Sequence, residues 1–414
     1  MCTKHKPAQS NKNQASGERS VSARDINAPV FTGNIVESIV KIYTAFPSWV
    51  QAVLFLILFG IVLSLGLQII SFLQQNPIVT PEPTPNPNKF EFVEASKGIA
   101  ITALASAGDT LWVGGKADGV FSLYRADARQ QTELSLESVD QVRQRIITLA
   151  ANAEGDDAGR INQMAVDCKG NLWLLLNQVG VLVYQPTTRR LDTLLNKVSP
   201  AGWLPANTMT SIAFRCNENG TVDVWLGREG VRALHYQADY PDLNAITRDK
   251  DEVYASSKDM GAVRALGYVS ETKRLWIVDW SSPIRAISPA GVLTPRPLDQ
   301  AGSAWLSLSI APDQTIWVGG VGRLLRIRGE QTDIFSVPSI KQVNAIWADH
   351  RWVWIGERCV DAGCQPLWYC QPRSGSCSPV PDRNRKEVTA ITVDARKVRW
   401  FGTENGLFVY SQPD

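Results

Sequence analysis

Histidine and net charge are both scarce in this sequence. Its 414 residues include 3 His, and 42 Lys and Arg nearly balance 40 Asp and Glu. Binding to a phosphate backbone needs a basic surface, so we do not expect nucleic acid as a partner. The sequence also lacks a G-x-S-x-G motif, an H-E-x-x-H motif, a phosphate-binding loop and a calcium loop. These absences disfavour the common hydrolase and metalloenzyme classes. We therefore assign no catalytic residue and expect no metal or cofactor.

Charge is also missing between Lys41 and Glu82, and the stretch Val50–Phe72 consists mostly of Leu, Ile, Val and Phe. A helix of this length reaches about 34 Å, which is enough to cross a hydrocarbon core of about 30 Å. A cleaved signal peptide is the alternative, but its apolar region is usually only about 7–15 residues and ends at an A-x-A-like site. The pattern therefore favours an uncleaved transmembrane helix over residues 48–74.

The flanks of this helix differ in charge. Residues 1–47 hold more basic than acidic residues, whereas Glu82, Lys89, Glu91 and Glu94 follow the helix. The positive-inside rule then predicts a cytoplasmic N-terminus and an extracytoplasmic remainder. The polar composition of residues 1–47 predicts a mostly disordered tail. The prolines of residues 75–88 predict an extended linker, and residues 89–414 form the folded domain.

A repeated strand pattern fills residues 89–414. Its clearest copies are ITALASAGDTLWVGGKADGVFSLY (101–124), INQMAVDCKGNLWLLLNQVGVLVY (161–184) and VTAITVDARKVRWFGTENGLFVY (388–410). Each copy has three apolar strands separated by short turns, and the second strand carries Trp. The aligned tryptophans are Trp112, Trp173, Trp225, Trp276, Trp317, Trp354 and Trp400. Their mean spacing of 288/6, or 48 residues, matches a propeller blade of roughly 40–50 residues. The pattern predicts an all-β fold, a seven-bladed β-propeller of four-stranded antiparallel blades, whose aligned tryptophans pack in the core.

The last copy ends at its third strand, and its fourth strand has to come from elsewhere. Residues 90–93 (FEFV) alternate between apolar and polar and precede the first inner strand. We predict that they pair with the last blade and close the ring, which removes two free sheet edges.

The motif ITALA…LWVGG…GVFSLY resembles the two-component-regulator propeller repeat, and the resemblance covers roughly residues 98–410. It implies a bacterial extracytoplasmic propeller that senses a ligand. The sequence shows no kinase, receiver or DNA-binding segment, so any sensing is expected to need a partner. The prediction is a ligand- or protein-binding sensor or scaffold module, anchored once in the bacterial cytoplasmic membrane. The alternative is a propeller lyase or hydrolase acting on a small molecule or glycan, for which streptogramin-lyase-like propellers are a precedent.

Six of the seven cysteines follow the membrane segment: Cys168, Cys216, Cys359, Cys364, Cys370 and Cys377. An even number in an oxidising compartment suggests disulfides. Two short spacings favour the pairs Cys359–Cys364 and Cys370–Cys377, each flanking a turn. Zinc is the alternative for these four, but no C-x-x-C knuckle is present and no His lies between them. Cys168 and Cys216 occupy matching positions in neighbouring repeats, and their pairing is left open.

The candidate ligand surface is the propeller face that carries the turns between second and third strands and the turns from each outer strand to the next inner strand. Trp203, Trp280 and Trp305 are interpreted as lying outside the repeat frame and near charged residues, which suits a sugar, an aromatic ligand or a protein loop. Packing of these rings onto the barrel end is the alternative. The full set of candidate ligand-binding residues is Trp203, Trp280, Trp305, Lys116, Arg228, Asp279, Arg323, Arg358 and Glu404.

Overall fold

The computed structural model describes residues 46–75, 85–86, 89–194, 208–228, 233–238, 247–254, 262–280, 284–287, 293–295, 304–349, 351–359, 364–380 and 386–411. The chain divides into two compact units, residues 1–82 and residues 83–414. The tail before residue 46, most of the proline-rich linker and Trp203 lie outside the described residues.

The first unit contains helix α1 (Ser48–Gln75). Its run of Leu, Ile, Val and Phe is free of proline, so every backbone group in the interior can form its helical hydrogen bond. Pro47 precedes the helix, and its carbonyl accepts hydrogen bonds from the amides of Val50 and Gln51. Residues 48–68 are long and apolar enough to cross a membrane. The apolar N-terminal helix is therefore confirmed, and it fits either an anchor or a signal sequence.

The second unit contains seven four-stranded antiparallel sheets among the described residues, here called blades 1 to 7. Blade 1 is β2 (Ala100–Ala107), β3 (Thr110–Ala117), β4 (Val120–Asp127) and β5 (Glu137–Ser138). Blade 2 is β6 (Ile161–Val166), β7 (Leu172–Leu176), β8 (Gly180–Gln185) and β9 (Arg190–Leu194). Blade 3 is β10 (Met209–Cys216), β11 (Val222–Arg228), β12 (Ala233–Ala238) and β13 (Thr247–Tyr254). Blade 4 is β14 (Val263–Val269), β15 (Arg274–Asp279), β16 (Arg285–Ile287) and β17 (Leu293–Pro295).

Blade 5 is β18 (Trp305–Ile310), β19 (Ile316–Gly320), β20 (Arg323–Arg328) and β21 (Gln331–Ser336). Blade 6 is β22 (Val343–Ala348), β23 (Val353–Glu357), β24 (Leu367–Cys370) and β25 (Cys377–Pro379). Blade 7 is β26 (Val388–Val393), β27 (Arg399–Thr403), β28 (Gly406–Tyr410) and β1 (Phe90–Phe92). The first strand of each blade, its inner strand, contacts the inner strands of both neighbouring blades, and β2 contacts β26. The inner strands therefore form a closed ring, which confirms the β-propeller.

The closing strand lies where the sequence predicts it, one residue shorter than 90–93. Strand β1 pairs antiparallel with β28, with Phe90 opposite Tyr410 and Phe92 opposite Phe408. Ser96 strengthens the junction, because its hydroxyl donates to the carbonyl of Val93 and accepts from the amide of Leu407. The first and last strands described in the propeller thus share one sheet.

The core lies between the blades. All seven aligned tryptophans are at most 5% exposed, which confirms their interpretation as scaffold residues. The indole nitrogens of Trp173 and Trp400 donate to Asp167 and Asp394 in the turns that precede their strands. The same carboxylates accept backbone amides of those turns, so each aspartate joins a turn to the core.

A short helix, α2 (Asp140–Ala150), follows the outer strand of blade 1. Its Val142 and Ile146 are buried with Phe121 and Leu123, which are residues of β4. Because this apolar face is covered by blade 1, the helix is held on the blade.

Three disulfides join the six cysteines that follow α1. Cys359–Cys364 and Cys370–Cys377 are confirmed, with Cα–Cα distances of 5.5 and 4.0 Å. Cys168–Cys216 also forms, at a Cα–Cα distance of 6.2 Å, and links the turn after β6 in blade 2 to the end of β10 in blade 3. Matching positions on these adjacent blades are therefore close enough for a bond, which the sequence left open.

Candidate functional site

The axis of the propeller contains a cavity of about 400 Å³. Residues from all seven inner strands line it. This volume falls within the usual range of small-molecule sites, roughly 300–1,000 Å³.

Each inner strand carries one β-bulge near its start. The pairing register with the second strand shifts there by one residue, which is left without a pairing partner. A bulge re-aims a side chain away from the regular sheet. The bulge residues in blade order are Thr102, Asn162, Thr210, Arg264, Leu306, Asn344 and Thr389. All seven line the axial cavity, so they form one ring around it, here called the bulge ring.

Four bulge residues tie their blade to the next one. Asn162 donates to the carbonyl of Met209 at 3.3 Å, and Asn344 donates to that of Val388 at 3.4 Å. The hydroxyl of Thr210 donates to the carbonyl of Val263, and that of Thr389 donates to Ile101 across the closure of the ring. Each acceptor lies at or next to the start of the following inner strand. At these four positions the polar side chain has a structural role.

Blades 4 and 5 depart from this pattern. Arg264 and Leu306 replace the Thr or Asn that the other five blades use. Leu306 has no polar group, so it makes no such link. Arg264 is the one charged side chain among the described residues that line the cavity. A residue that differs from the type used at the equivalent position of the other repeats is a candidate for a functional role.

A second ring of matching positions lies at the end of the second strand of each blade or just after it. In blades 2, 4, 5 and 6 its amide donates to the carbonyl of the residue before the inner strand, as in Asn177 to Arg160 and Arg358 to Gln342. We call this ring the rim. Its described residues are Lys116, Asn177, Trp280, Val321, Arg358 and Glu404. The structure therefore places four candidates, Lys116, Trp280, Arg358 and Glu404, at equivalent points of four blades.

The rim is apolar on the two blades that depart from the bulge pattern. Trp280 on blade 4 is 43% exposed, and Val321 on blade 5 is 48% exposed. The guanidinium of Arg264 lies over the Trp280 ring, 5.1 Å from its centroid. This distance is within the range of a cation–π interaction. Bulge ring and rim thus meet at Arg264 and Trp280.

The opposite part of the face is charged. Burial raises the pKa of Glu387, the residue before β26, and the nearby Glu404 raises it further, whereas Arg358 and Arg160 act in the lowering direction. The side-chain amide of Asn344 also donates to Glu387, at 3.1 Å. These electrostatic contacts place Glu387, Glu404 and Arg358 near one another.

The remaining candidates occupy different environments. Trp305 is 4% exposed, and it starts inner strand β18 at the position that Ile101, Val263 and Val343 occupy in other blades. It belongs to the core between blades 4 and 5, so its interpretation as lying outside the repeat frame is wrong. Asp279 ends β15 and is 1% exposed. Arg228 ends β11 and Arg323 begins β20, and both are partly buried.

The sequence reading missed Arg264, Leu306 and Val321. A usable signal exists in the aligned copies, since Thr or Asn stands at the bulge position near the start of the inner strand in five of them. Among the described residues, no group of three or more His, Cys, Asp and Glu is arranged to hold a metal ion.

No family model matches the chain, and no curated protein matches it. The fold is similar to that of a streptogramin B lyase at 14% identity, covering 77% of this chain and 96% of that one, with a TM-score of 0.54. A catalytically inactive virginiamycin B lyase from Staphylococcus aureus, solved with quinupristin, is similar at 13% identity, with coverage of 78% and 100% and a TM-score of 0.55. At these identities the likeness shows the fold alone.

The extracellular domain of the putative one component system BT4673 from B. thetaiotaomicron is similar at 16% identity, with a TM-score of 0.55. The match covers 79% of this chain and 44% of that one, so this chain spans less than half of the sensor structure. The propeller therefore resembles both sensor domains and a lyase.

Proposed function

We propose that the propeller is an extracytoplasmic binding module, a sensor or scaffold, that takes a ligand or protein partner at the mouth of its axial cavity. Helix α1 anchors it once in the bacterial cytoplasmic membrane, with the N-terminus in the cytoplasm. The proposal rests on one observation: blades 4 and 5 differ from the other blades both at the bulge position and at the rim. Arg264 and Leu306 break the bulge ring where Trp280 and Val321 make the rim apolar. Exposed aromatic residues beside a cavity are frequent anchors for ligands and partners.

The proposed orientation is supported by two independent features. The basic excess precedes α1, and three disulfides lie after it, where an oxidising compartment would allow them to persist. Protease added to intact spheroplasts is expected to degrade the propeller and to spare an epitope placed at residue 1. A propeller that is protected until the membrane is broken would contradict this orientation.

A binding screen tests the proposed site. We expect compounds from a panel of sugars, amino acids, aromatic acids and short peptides to raise the Tm of the full chain in detergent micelles. Trp280→Ala is expected to weaken the effective compounds about tenfold or more, because an anchor aromatic commonly contributes about 2 kcal/mol. The control is Trp49→Ala, which removes an exposed Trp from α1. If the compounds raise the Tm of the Trp280→Ala variant as much as that of the wild type, the binding site lies elsewhere.

An extracytoplasmic lyase or hydrolase is the second candidate function. It is favoured by the upward direction of the Glu387 pKa shift, which burial causes, because a carboxyl group with a raised pKa is better suited to general acid catalysis than one with an ordinary pKa. Turnover of a bound compound that is lost in Glu387→Gln, with binding retained, would favour this alternative over a pure binding module.

A further inference from the structure

One charged side chain lines the described part of the axial cavity. Among the described residues that line it, Arg264 alone carries a formal charge, and no Asp or Glu does. A guanidinium is planar and presents its N–H donors in a fixed fork that matches a carboxylate. The walls of a cavity strengthen such an attraction, because they exclude water and lower the local dielectric constant. The wall of the cavity at Arg264 therefore favours an anion over a neutral or cationic molecule.

The surface beside this charge is flat and apolar. The indole of Trp280 is 43% exposed and lies under the Arg264 guanidinium. Leu306 lines the cavity on the next blade, and Val321 is exposed at the rim of that blade. A planar apolar group can cover these side chains while an attached anion reaches the edge of the guanidinium. An inorganic anion would leave the apolar surface in contact with water.

We infer that blades 4 and 5 form a site for a small organic anion, a carboxylate or sulfonate attached to a planar apolar group. This inference rests on the proposed function and specifies its ligand class. The anionic group binds Arg264, and the planar group packs against Trp280 and Leu306. The cavity volume of about 400 Å³ limits the ligand to a small molecule.

Matched pairs of probes separate the contribution of charge from that of the ring. Indole-3-acetate and indole-3-ethanol share the ring and differ in charge, as do naphthalene-2-sulfonate and naphthalene-2-sulfonamide, and acetate has the charge without a ring. Their affinities are measured by titration calorimetry on the full chain in detergent micelles. Each aromatic anion is expected to bind about 10-fold or more tightly than its neutral counterpart, which is the usual scale for a hydrogen bond to a charged group. Acetate is expected to bind more weakly than either aromatic anion.

Substitutions then show which residue recognises the charge of the probe and which recognises its ring. Arg264→Gln is expected to abolish the preference for the anions, and Arg264→Lys to keep part of it. Trp280→Ala is expected to weaken the aromatic anions and their neutral counterparts alike. The control is Arg274→Gln, which removes a partly exposed guanidinium at the opposite end of blade 4, where it pairs with Glu330. Equal Tm values for wild type and variants show that folding is unaffected.

Two results would overturn the inference. One is equal affinity of the wild type for the charged and neutral members of both pairs. The other is a preference for anions that survives in Arg264→Gln. Binding of neutral compounds that is lost in Trp280→Ala would overturn the ligand class and leave the proposed function standing. Absence of any binding to the mouth would contradict both.

Discussion

Replacement of residues 89–96 by Gly and Ser, at the same length and in the full chain, is expected to abolish cooperative unfolding of the propeller or to cause its self-association. The replacement removes all of β1 and leaves the edge of β28 unpaired. It also removes Phe90, whose ring lies 4.5 Å from that of Tyr410 and 5.5 Å from that of Phe401, and the fully buried Val93. Full burial of a Phe or Val side chain contributes about 1.5–3 kcal/mol, and Phe90 and Phe92 are partly buried, so we expect a loss of about 3–6 kcal/mol, a large part of the stability of a domain.

Thermal melting followed by circular dichroism, together with light scattering, measures this outcome. A milder pair of variants keeps the result interpretable if the full replacement does not fold. Phe90→Ala is expected to lower the Tm, whereas Glu91→Ala, which removes an exposed side chain from the same strand, is expected to leave it nearly unchanged. A replaced chain that melts cooperatively at the wild-type temperature and stays monodisperse would show that β1 does not close the ring.

Substitution of Asp223 by Asn is expected to destabilise the propeller by about 3 kcal/mol at pH 7. Asp223 lies on β11 and is 2% exposed. Its carboxylate accepts from Arg215 and Asn217, and the imidazole of His235 lies 3.1 Å away. Removal of one partner from a buried ion pair leaves the other charge uncompensated, which typically costs about 3–5 kcal/mol. We expect the lower end because the Arg215 side chain is 35% exposed.

The same carboxylate predicts a pH dependence. Burial alone raises the pKa of Asp223, but hydrogen bonds from His235, Asn217 and Arg215 bring the pKa below its usual value. Its contribution to stability is therefore present above the unfolded pKa of about 3.9 and is lost as the pH falls through the lower, folded value. The difference in Tm between wild type and Asp223→Asn is expected to be full at pH 5–7 and to narrow below about pH 4.

An exposed ion pair supplies the control for this experiment. Asp333→Asn makes the same chemical change in the pair of Asp333 with Arg326, in which the Asp333 side chain is 46% exposed. It is expected to cost less than about 1 kcal/mol, because solvent screens such pairs. Equal effects of the two substitutions would show that Asp223 contributes no more than a surface carboxylate.

Much of the fold could be predicted from the sequence because the same apolar and aromatic pattern recurs in every blade. Apolar alternation and a tryptophan in each second strand predicted the blades, and FEFV before the first blade predicted the closing strand. The short cysteine spacings predicted two disulfides, since residues that flank a tight turn come close. The third disulfide depended on the distance between the turn after β6 and the end of β10, a tertiary quantity that spacing alone does not contain.

The site was predicted less completely, for a reason that can be traced to particular residues. The rim follows from the turn after the second strand, and Lys116, Trp280, Arg358 and Glu404 were found in this way. Arg264 and Leu306 are cavity residues because a bulge re-aims them, and strict alternation cannot show a bulge. Trp305 was misplaced because a large ring occupies a position where other blades have smaller apolar residues.

Hydrogen exchange of the full chain, with and without saturating indole-3-acetate, tests most directly whether the ligand binds between blades 4 and 5. We expect the ligand to slow exchange in peptides covering residues 262–266 and 304–308, the bulged starts of β14 and β18. Acetate at the same concentration is expected to leave these peptides unchanged. Unchanged exchange in both segments, or slowing confined to the turns at the other end of the blades such as residues 216–221, would contradict the account.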